Sequence, residues 1–237
     1  MSGSSIDGAN DPVSRTLHEE VSTGAGSDSG VAGNNAGPTA DVRSTSGDSE
    51  VAGAYAGLVA LGRELYERAL VHRDQEDITD PRGNSIGWLL DTRTPMLDGE
   101  TFGEVGEVLA SRLAARDIFQ VAGYGFGSYA LVCAVLAARS EHAFTGGFIR
   151  EKRKPYGRRR LVEGPLDRSR PVALVDDILN SGRSALNGVK LLRSDGFAVR
   201  GVLTLFNFTW SGGRPRLESE GLWVDSLLDL NLREPRR

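Results

Sequence analysis

Residues 171–185 read P-V-A-L-V-D-D-I-L-N-S-G-R-S-A, an order of residue types suited to holding a phosphorylated sugar. Val172, Ala173, Leu174 and Val175 form a short apolar run after a proline, which predicts a buried parallel strand ended by two adjacent carboxylates, Asp176 and Asp177. Asn180, Ser181, Gly182, Arg183 and Ser184 follow as a tight polar loop, and Ala185, Val189, Leu191 and Leu192 predict a helix that stops near Gly196. The unpaired amides of such a loop and first helical turn, together with the helix dipole, favour a phosphate there. Ser181 and Ser184 add hydroxyl donors, whereas the acid pair repels phosphate and accepts hydrogen bonds from sugar hydroxyls. Phosphate at one end and a diol at the other describe a phosphorylated pentose. An ordinary strand-loop-helix unit is the plainer alternative, and the context of the motif decides between them.

A second chemical clue lies upstream, where residues 150–160 read R-E-K-R-K-P-Y-G-R-R-R, seven cations against one acid, broken by Pro155 and Gly157. A solvated charge run and a nucleic-acid patch are both open readings of such a segment. About twenty residues ahead of a phosphate-binding motif, a third reading takes precedence. Flexible cations there could fold over a phosphorylated ligand, neutralise its charge and exclude water.

These residues need a scaffold, and the pattern from Tyr55 onward supplies one. Leu58, Leu61, Leu65 and Leu70 predict an amphipathic helix with Arg63, Glu64, Glu67 and Arg68 on its wet side. A turn at 80–84, a short strand at 88–90 and a second helix at 101–115 come next. Then follow a strand at 119–122, a glycine loop, a helix at 129–139, a strand at 144–149, the basic loop, the strand and helix of the acidic motif, and a strand at 202–206. Alternation of this kind predicts a parallel α/β sheet.

Composition narrows the function classes. A chain of 237 residues has room for one domain with a sizeable core. A net charge of −4 argues against a protein that is basic throughout, and so against wholesale nucleic-acid binding. The single cysteine, Cys133, falls in the apolar run 129–138, which predicts a buried structural thiol; no disulfide framework is possible, which fits a reducing cytoplasm. The longest apolar run is about half of the roughly 20 residues that span a bilayer, and the start lacks the basic-then-apolar order of a signal peptide. The first fifty residues hold no aromatic side chain and eight acids against two arginines. Residues 1–52 are therefore expected to be disordered, with an acidic partner-docking arm as the functional alternative, and 53–237 to form the folded domain.

The motif at 171–185 resembles the loop of the type I phosphoribosyltransferases, whose usual form is four apolar residues, two acids, two apolar residues and a T-G-x-T-like turn. Here Ser181, Gly182, Arg183 and Ser184 make that turn, with serines for threonines. The family transfers ribose 5-phosphate from phosphoribosyl pyrophosphate (PRPP) to a nitrogenous base and releases pyrophosphate. The resemblance implies a parallel twisted sheet flanked by helices, with a small N-terminal hood. It implies further that Asp176 and Asp177 hold the ribose hydroxyls and that Asn180, Ser181, Gly182, Arg183 and Ser184 hold the 5-phosphate.

The basic loop narrows the resemblance to the orotate phosphoribosyltransferase group, which carries a mobile R-K-E-x-K-x-H-G loop between the same two strands. Arg150, Lys154 and Gly157 match it, and residues 161–164 resemble the link that follows. Gly83, Ser85, Trp88, Asp91 and Arg93 loosely resemble the segment that seats the base, so Ser85, Trp88 and Arg93 are its expected contacts. The glycine-rich stretch 121–130 resembles the pyrophosphate loop, which adds Tyr124 and Gly125 to the PRPP-binding set, with backbone amides of Gly123, Gly125 and Gly127 facing phosphate oxygens. Glu151 stands where these enzymes have a second cation and Tyr156 where they have histidine, with Lys152 and Arg153 as candidates for the displaced charge.

The reaction so implied has Asp176, Asp177, Lys154 and Arg150 as catalytic residues and Arg150, Lys152 and Lys154 on the pyrophosphate. Its Mg²⁺ is held mainly through PRPP rather than by direct protein ligands. The resemblance also implies a homodimer that shares the basic loop between subunits, a cytoplasmic setting in pyrimidine biosynthesis, and no nucleic-acid or membrane partner. Two alternatives stand beside it: a specialised transferase with a different acceptor, and a regulator that binds PRPP without catalysis.

Overall fold

A computed structural model of the chain describes residues 46–80, 82–153, 157 and 160–231. The expected disordered segment up to residue 45 and, in the basic loop, Lys154 and Tyr156 lie outside the described residues. The chain divides into two compact units, residues 56–230 and the two ends, 1–55 with 231–237. Every site residue expected from the sequence falls in the first.

The leucine spacing that predicts the first helix is realised for Leu58, Leu61 and Leu65 in α1 (Ser46–Ala69), which starts upstream of the pattern and buries Leu61, Leu65, Tyr66 and Ala69, whereas Leu70 opens the following strand. Strands β1 (Leu70–His72) and β2 (Trp88–Leu90) pair antiparallel, and a bridge between Thr79 and Ser85 closes the intervening turn. In that turn Asp80 accepts hydrogen bonds from the backbone of Arg82 and Asn84. This hairpin is the small hood. A short helix, α2 (Arg93–Met96), follows it where the sequence predicted none, then α3 (Gly99–Ala114), whose first turn is capped by Asp98 accepting from the Thr101 amide at 3.0 Å.

The remaining elements are β3 (Gln120–Tyr124), α4 (Phe126–Ala137), β4 (Thr145–Ile149), β5 (Val162–Glu163), β6 (Val172–Leu179), α5 (Arg183–Ser194), β7 (Val199–Phe208), a 3₁₀ turn (Thr209–Ser211), α6 (Gly213–Glu218) and β8 (Trp223–Leu230). They build one six-stranded sheet in the order β5-β4-β3-β6-β7-β8. Only β5 runs antiparallel to its neighbour; the other four pairings are parallel. The apolar run Val172, Ala173, Leu174 and Val175 is fully buried at the centre, as a strand covered on both faces must be. Buried Gln120 ties the approach to β6, donating to the carbonyls of Asp167 and Arg170 and accepting from the Asp167 amide. Among the described residues no helix is long and apolar enough to cross a membrane.

Three expectations are corrected. The acid pair does not end its strand, because β7 continues alongside and pairs Asp176 with Thr204 and Leu179 with Asn207. The glycine loop is reduced to Gly125, whose φ of 89° makes the turn; Gly123 lies in β3 and Gly127 in the first turn of α4. Cys133 is exposed rather than buried. Leu131, Val132, Ala134 and Val135 take the covered faces of α4, and a helix apolar on every side carries no periodicity to reveal which residue faces out.

Close backbone approach fixes two contacts. Gly106 of α3 rests on the carbonyl of Ala134 in α4, and a methyl group there would sit 2.8 Å from the carbonyl carbon. Gly201 of β7 leaves room for the indole of Trp223, on which the Arg116 guanidinium lies at 4.8 Å while pairing with Asp225. Gly106→Ala forces the two helices apart. It is expected to cost about 1–3 kcal/mol of stability, read as a lower urea midpoint with an unchanged slope.

Candidate active site

The sheet reverses its strand order between β3 and β6, since β4 lies on the outer side of one and β7 on the outer side of the other. Such a switch point opens a crevice beyond the carboxyl ends of the strands, and ligands of α/β sheets bind there. The glycine turn after β3 and the acid pair of β6 stand at that crevice.

Asp176 is buried, 7% exposed, and Asp177 beside it is half-buried. Burial, reinforced by the charge of Asp177, pushes the Asp176 carboxyl well above the usual carboxylate range; a hydrogen bond from the Asp177 amide at 3.1 Å opposes this. Asp177 is held in one orientation from several directions. Buried Thr92, just ahead of α2, donates its hydroxyl to Asp177 Oδ2 at 2.6 Å, and the Ile178 amide donates to Oδ1 at 3.0 Å. Gly127 presses against the same carboxylate, where any β-carbon would lie 2.7 Å from Asp177 Cγ.

Gly182 turns the phosphate loop into α5 with φ of 69°, and a β-carbon there would meet the backbone of Gly213 at 3.0 Å, so both conformation and space require glycine. The loop is braced from the 3₁₀ turn after β7 and from α6. Ser211 Oγ lies 2.6 Å from the Asn180 carbonyl, and Arg216 donates to the Ser181 carbonyl. No side chain caps α5, and its first internal bond runs from the Leu186 amide to the Gly182 carbonyl at 2.9 Å, which leaves the amides of the first turn directed outward. Ser181 is half-buried, and Arg183 and Ser184 are exposed at this mouth. Tyr124, at the end of β3, accepts a hydrogen bond from Asn187 of α5 at 2.8 Å and packs under Gly188, so the two sides of the crevice are joined.

The cations divide. Arg150 closes the neck of the basic loop through its amide to the Leu161 carbonyl at 2.9 Å and lies 3.9 Å from Glu163, with its Nε buried and without a hydrogen-bond partner among the described residues. With Glu151, Lys152 and Tyr129 it lines an open cleft of about 390 Å³. Arg153 is drawn elsewhere: it pairs at 2.8 Å with Asp195, which also holds Arg168 at 2.9 Å, at the end of α5 opposite the phosphate loop. On the hood, Arg93 forks onto Asp91 at 2.6 and 2.8 Å, and this contact lowers the Asp91 pKa. Trp88 packs edge-on to Phe208, while Ser85 is exposed in the hairpin turn.

A parallel sheet whose switch point joins an acid pair, a glycine-turned phosphate loop and a hood is the architecture of a type I phosphoribosyltransferase. Among curated proteins, the chain is 32% identical over 148 residues to orotate phosphoribosyltransferase from Streptomyces avermitilis, covering 62% of this chain and 80% of that protein. It is 30% identical over 173 residues to orotate phosphoribosyltransferase from Corynebacterium glutamicum, covering 72% and 90%. Among solved structures, the Mycobacterium tuberculosis orotate phosphoribosyltransferase in complex with PRPP superposes with a TM-score of 0.58 at 22% identity, over 74% of this chain and 90% of that one. No protein-family model matches the chain. The chain belongs to the orotate phosphoribosyltransferase family and is an enzyme of phosphoribosyl transfer.

Reading the sequence missed Thr92 and Ser211. Thr92 sits 85 positions from the carboxylate it touches, and no local pattern marks a lone hydroxyl between Asp91 and Arg93. The raised pKa of Asp176 yields a signed prediction. Below the usual carboxylate range the group is protonated in both folded and unfolded chains, and its contribution is fully present. As pH rises toward and through the raised folded pKa, the ionised form costs the fold stability. Asp176→Asn is therefore expected to gain thermal stability relative to the parent at pH 8 and to gain little at pH 4; melting curves at the two pH values read the difference.

Proposed function

We propose that the chain catalyses Mg²⁺-dependent transfer of ribose 5-phosphate from PRPP to a planar nitrogen heterocycle, orotate or an orotate-like base, with release of pyrophosphate. The observation that carries this reading is the joining of the acid pair to the phosphate loop at one switch point, with Thr92 and Gly127 holding Asp177 in a single orientation. The C1′–O bond to pyrophosphate breaks with its electron pair leaving on oxygen, the acceptor nitrogen forms the new C1′–N bond, and the ring N–H proton passes to solvent. Asp176 and Asp177 fix the ribose hydroxyls, the loop from Asn180 to Ser184 fixes the 5-phosphate, and Arg150, Lys152 and Lys154 offset the charge growing on pyrophosphate. Tyr124 and Gly125 border the pyrophosphate at the β3 turn, and Ser85, Trp88 and Arg93 belong to the base side.

The donor set fits Mg²⁺ held chiefly by substrate. Among the described residues no group of three or more His, Cys, Asp or Glu could hold a metal ion, and the acid pair alone suits a hard cation that keeps water and PRPP oxygens as most of its ligands. When bound, Mg²⁺ lowers the charge of the leaving pyrophosphate. We further propose a homodimer acting in pyrimidine biosynthesis in the cytoplasm; Phe126 and Leu136, 75% and 45% exposed on α4, give a second copy an apolar surface to cover.

The test is pyrophosphate release from PRPP and Mg²⁺ with orotate and a panel of bases. Turnover is expected, and its retention in the double variant Asp176→Asn, Asp177→Asn would defeat the proposed role of the pair. Thr92→Val removes a hydrogen bond to a charged group and is expected to raise KM for PRPP about tenfold or more, with Thr92→Ser restoring it.

A further inference from the structure

A second cavity lies at the end of α5 that faces away from the phosphate loop. It holds about 200 Å³, and three arginines, Arg153, Arg160 and Arg168, stand around it. Its apolar lining comes from Val162 of β5, Leu166 and the buried ring of Phe197. The helix between this cavity and the phosphate loop is 12 residues long, which separates the two by about 18 Å.

Two of the arginines are already ordered. Asp195, whose side chain is only 12% exposed, pairs with Arg153 at 2.8 Å through one oxygen and with Arg168 at 2.9 Å through the other. Arg168 also donates its Nε to the Asp195 carbonyl and lies over the Phe197 ring at 5.0 Å. A guanidinium has its five N–H donors in one plane, and Arg168 spends those of Nε and one of Nη2 on Asp195. Stacking of its face on the ring keeps the other donors in the plane of the group, at the edge of the cavity. Arg160, the third cation, is exposed on the rim.

Charge in the cavity favours an anion. Three arginines against Asp195 leave a net charge of +2 among the described lining residues. The C-terminus of a helix would oppose this with unpaired carbonyls, but here they are engaged. The Asp195 amide donates to the Leu191 and Leu192 carbonyls, the Gly196 amide to Arg193, and the Phe197 amide to Leu192. The carboxylate of Asp195 stands as the buttress of two guanidinium groups, and their remaining donors suit the tetrahedral, multiply charged oxygens of a phosphate.

We propose that Arg153, Arg160 and Arg168, buttressed by Asp195 and Phe197, form a second phosphate-binding site, remote from the catalytic crevice, for a phosphate dianion that is either free or carried as a monoester. The site is independent of the transfer reaction, since none of the elements that hold the acid pair or the phosphate loop contributes a donor to it.

The full chain is titrated calorimetrically with inorganic phosphate and, separately, with ribose 5-phosphate, in about 0.15 M KCl so that weak surface attraction is screened. Two classes of site are expected for at least one of these probes. Arg160→Ala, a substitution of an exposed side chain, is expected to weaken one class about tenfold or more and to leave pyrophosphate release in phosphate-free buffer unchanged. Arg168→Lys, which keeps the charge and loses the fork and the ring stacking, is expected to weaken the same class. The double variant Ser181→Ala, Ser184→Ala is expected to weaken the other class alone. An arginine-dependent class seen with both probes upholds the site for free phosphate, and one seen with ribose 5-phosphate alone upholds it for a monoester. A single class of site, or two classes that are identical in the parent and in Arg160→Ala, would overturn the proposal. Full binding by Arg168→Lys would also overturn it, since charge without the oriented fork would then be enough. None of these outcomes alters the reading of the crevice, which is judged by pyrophosphate release.

Discussion

The structure turns on a carboxylate held where water is scarce. Asp176 is nine-tenths buried within the central strand, and next to it Asp177 adds a like charge. Such a pair is unfavourable for the fold. The residues around it read as the means of keeping it in place. β7 runs past it and completes its backbone pairing, the Thr92 hydroxyl and Ile178 amide fix the orientation of Asp177, and the bare backbone of Gly127 allows α4 to approach without displacing the carboxylate.

The surrounding elements divide the site by chemistry. The α5 side offers amides and hydroxyls on its open face, with the loop carbonyls engaged from behind by Ser211 and Arg216. The hood and the end of β7 offer rings instead, with Arg93 neutralised by Asp91. The described start of the basic loop lines a cleft with Tyr129 of α4. Asp195 holds Arg153 at the far end of α5, whereas Arg150 and Lys152 line that cleft. The acid pair and the loop after it are consecutive in the chain, while the rings come from β2 of the hairpin and from the end of β7 and the turn after it.

Local patterns carried some of this well. A four-residue apolar run can hide both faces only in the middle of a sheet, and Val172, Ala173, Leu174 and Val175 do so. Gly182 and Gly125, which turn the chain with positive φ, lie in stretches the sequence marked as glycine-containing loops, although only the fold decided which of Gly123, Gly125 and Gly127 makes the turn. Where the pattern was silent, the reading failed. An all-apolar helix could not say that Cys133 faces out, and a pair of acids looked like the end of a strand because what prolongs β6 is pairing with β7.

The sequence by itself determined the chemistry and its order along the chain: an acid pair, then a phosphate loop, then a helix, with a cationic loop upstream and strands alternating with helices throughout. These are local properties, set by residue type and by spacings of a few residues. Tertiary structure alone decided what each group touches. Thr92 reaches Asp177 from 85 positions away, Ser211 reaches Asn180 from 31, and Trp88 meets Phe208 across the hood, contacts that exist only once the strands have chosen their order. The physical reason is that hydrogen bonds and ring contacts act over a few ångströms of space, whereas residue patterns record separation along the chain.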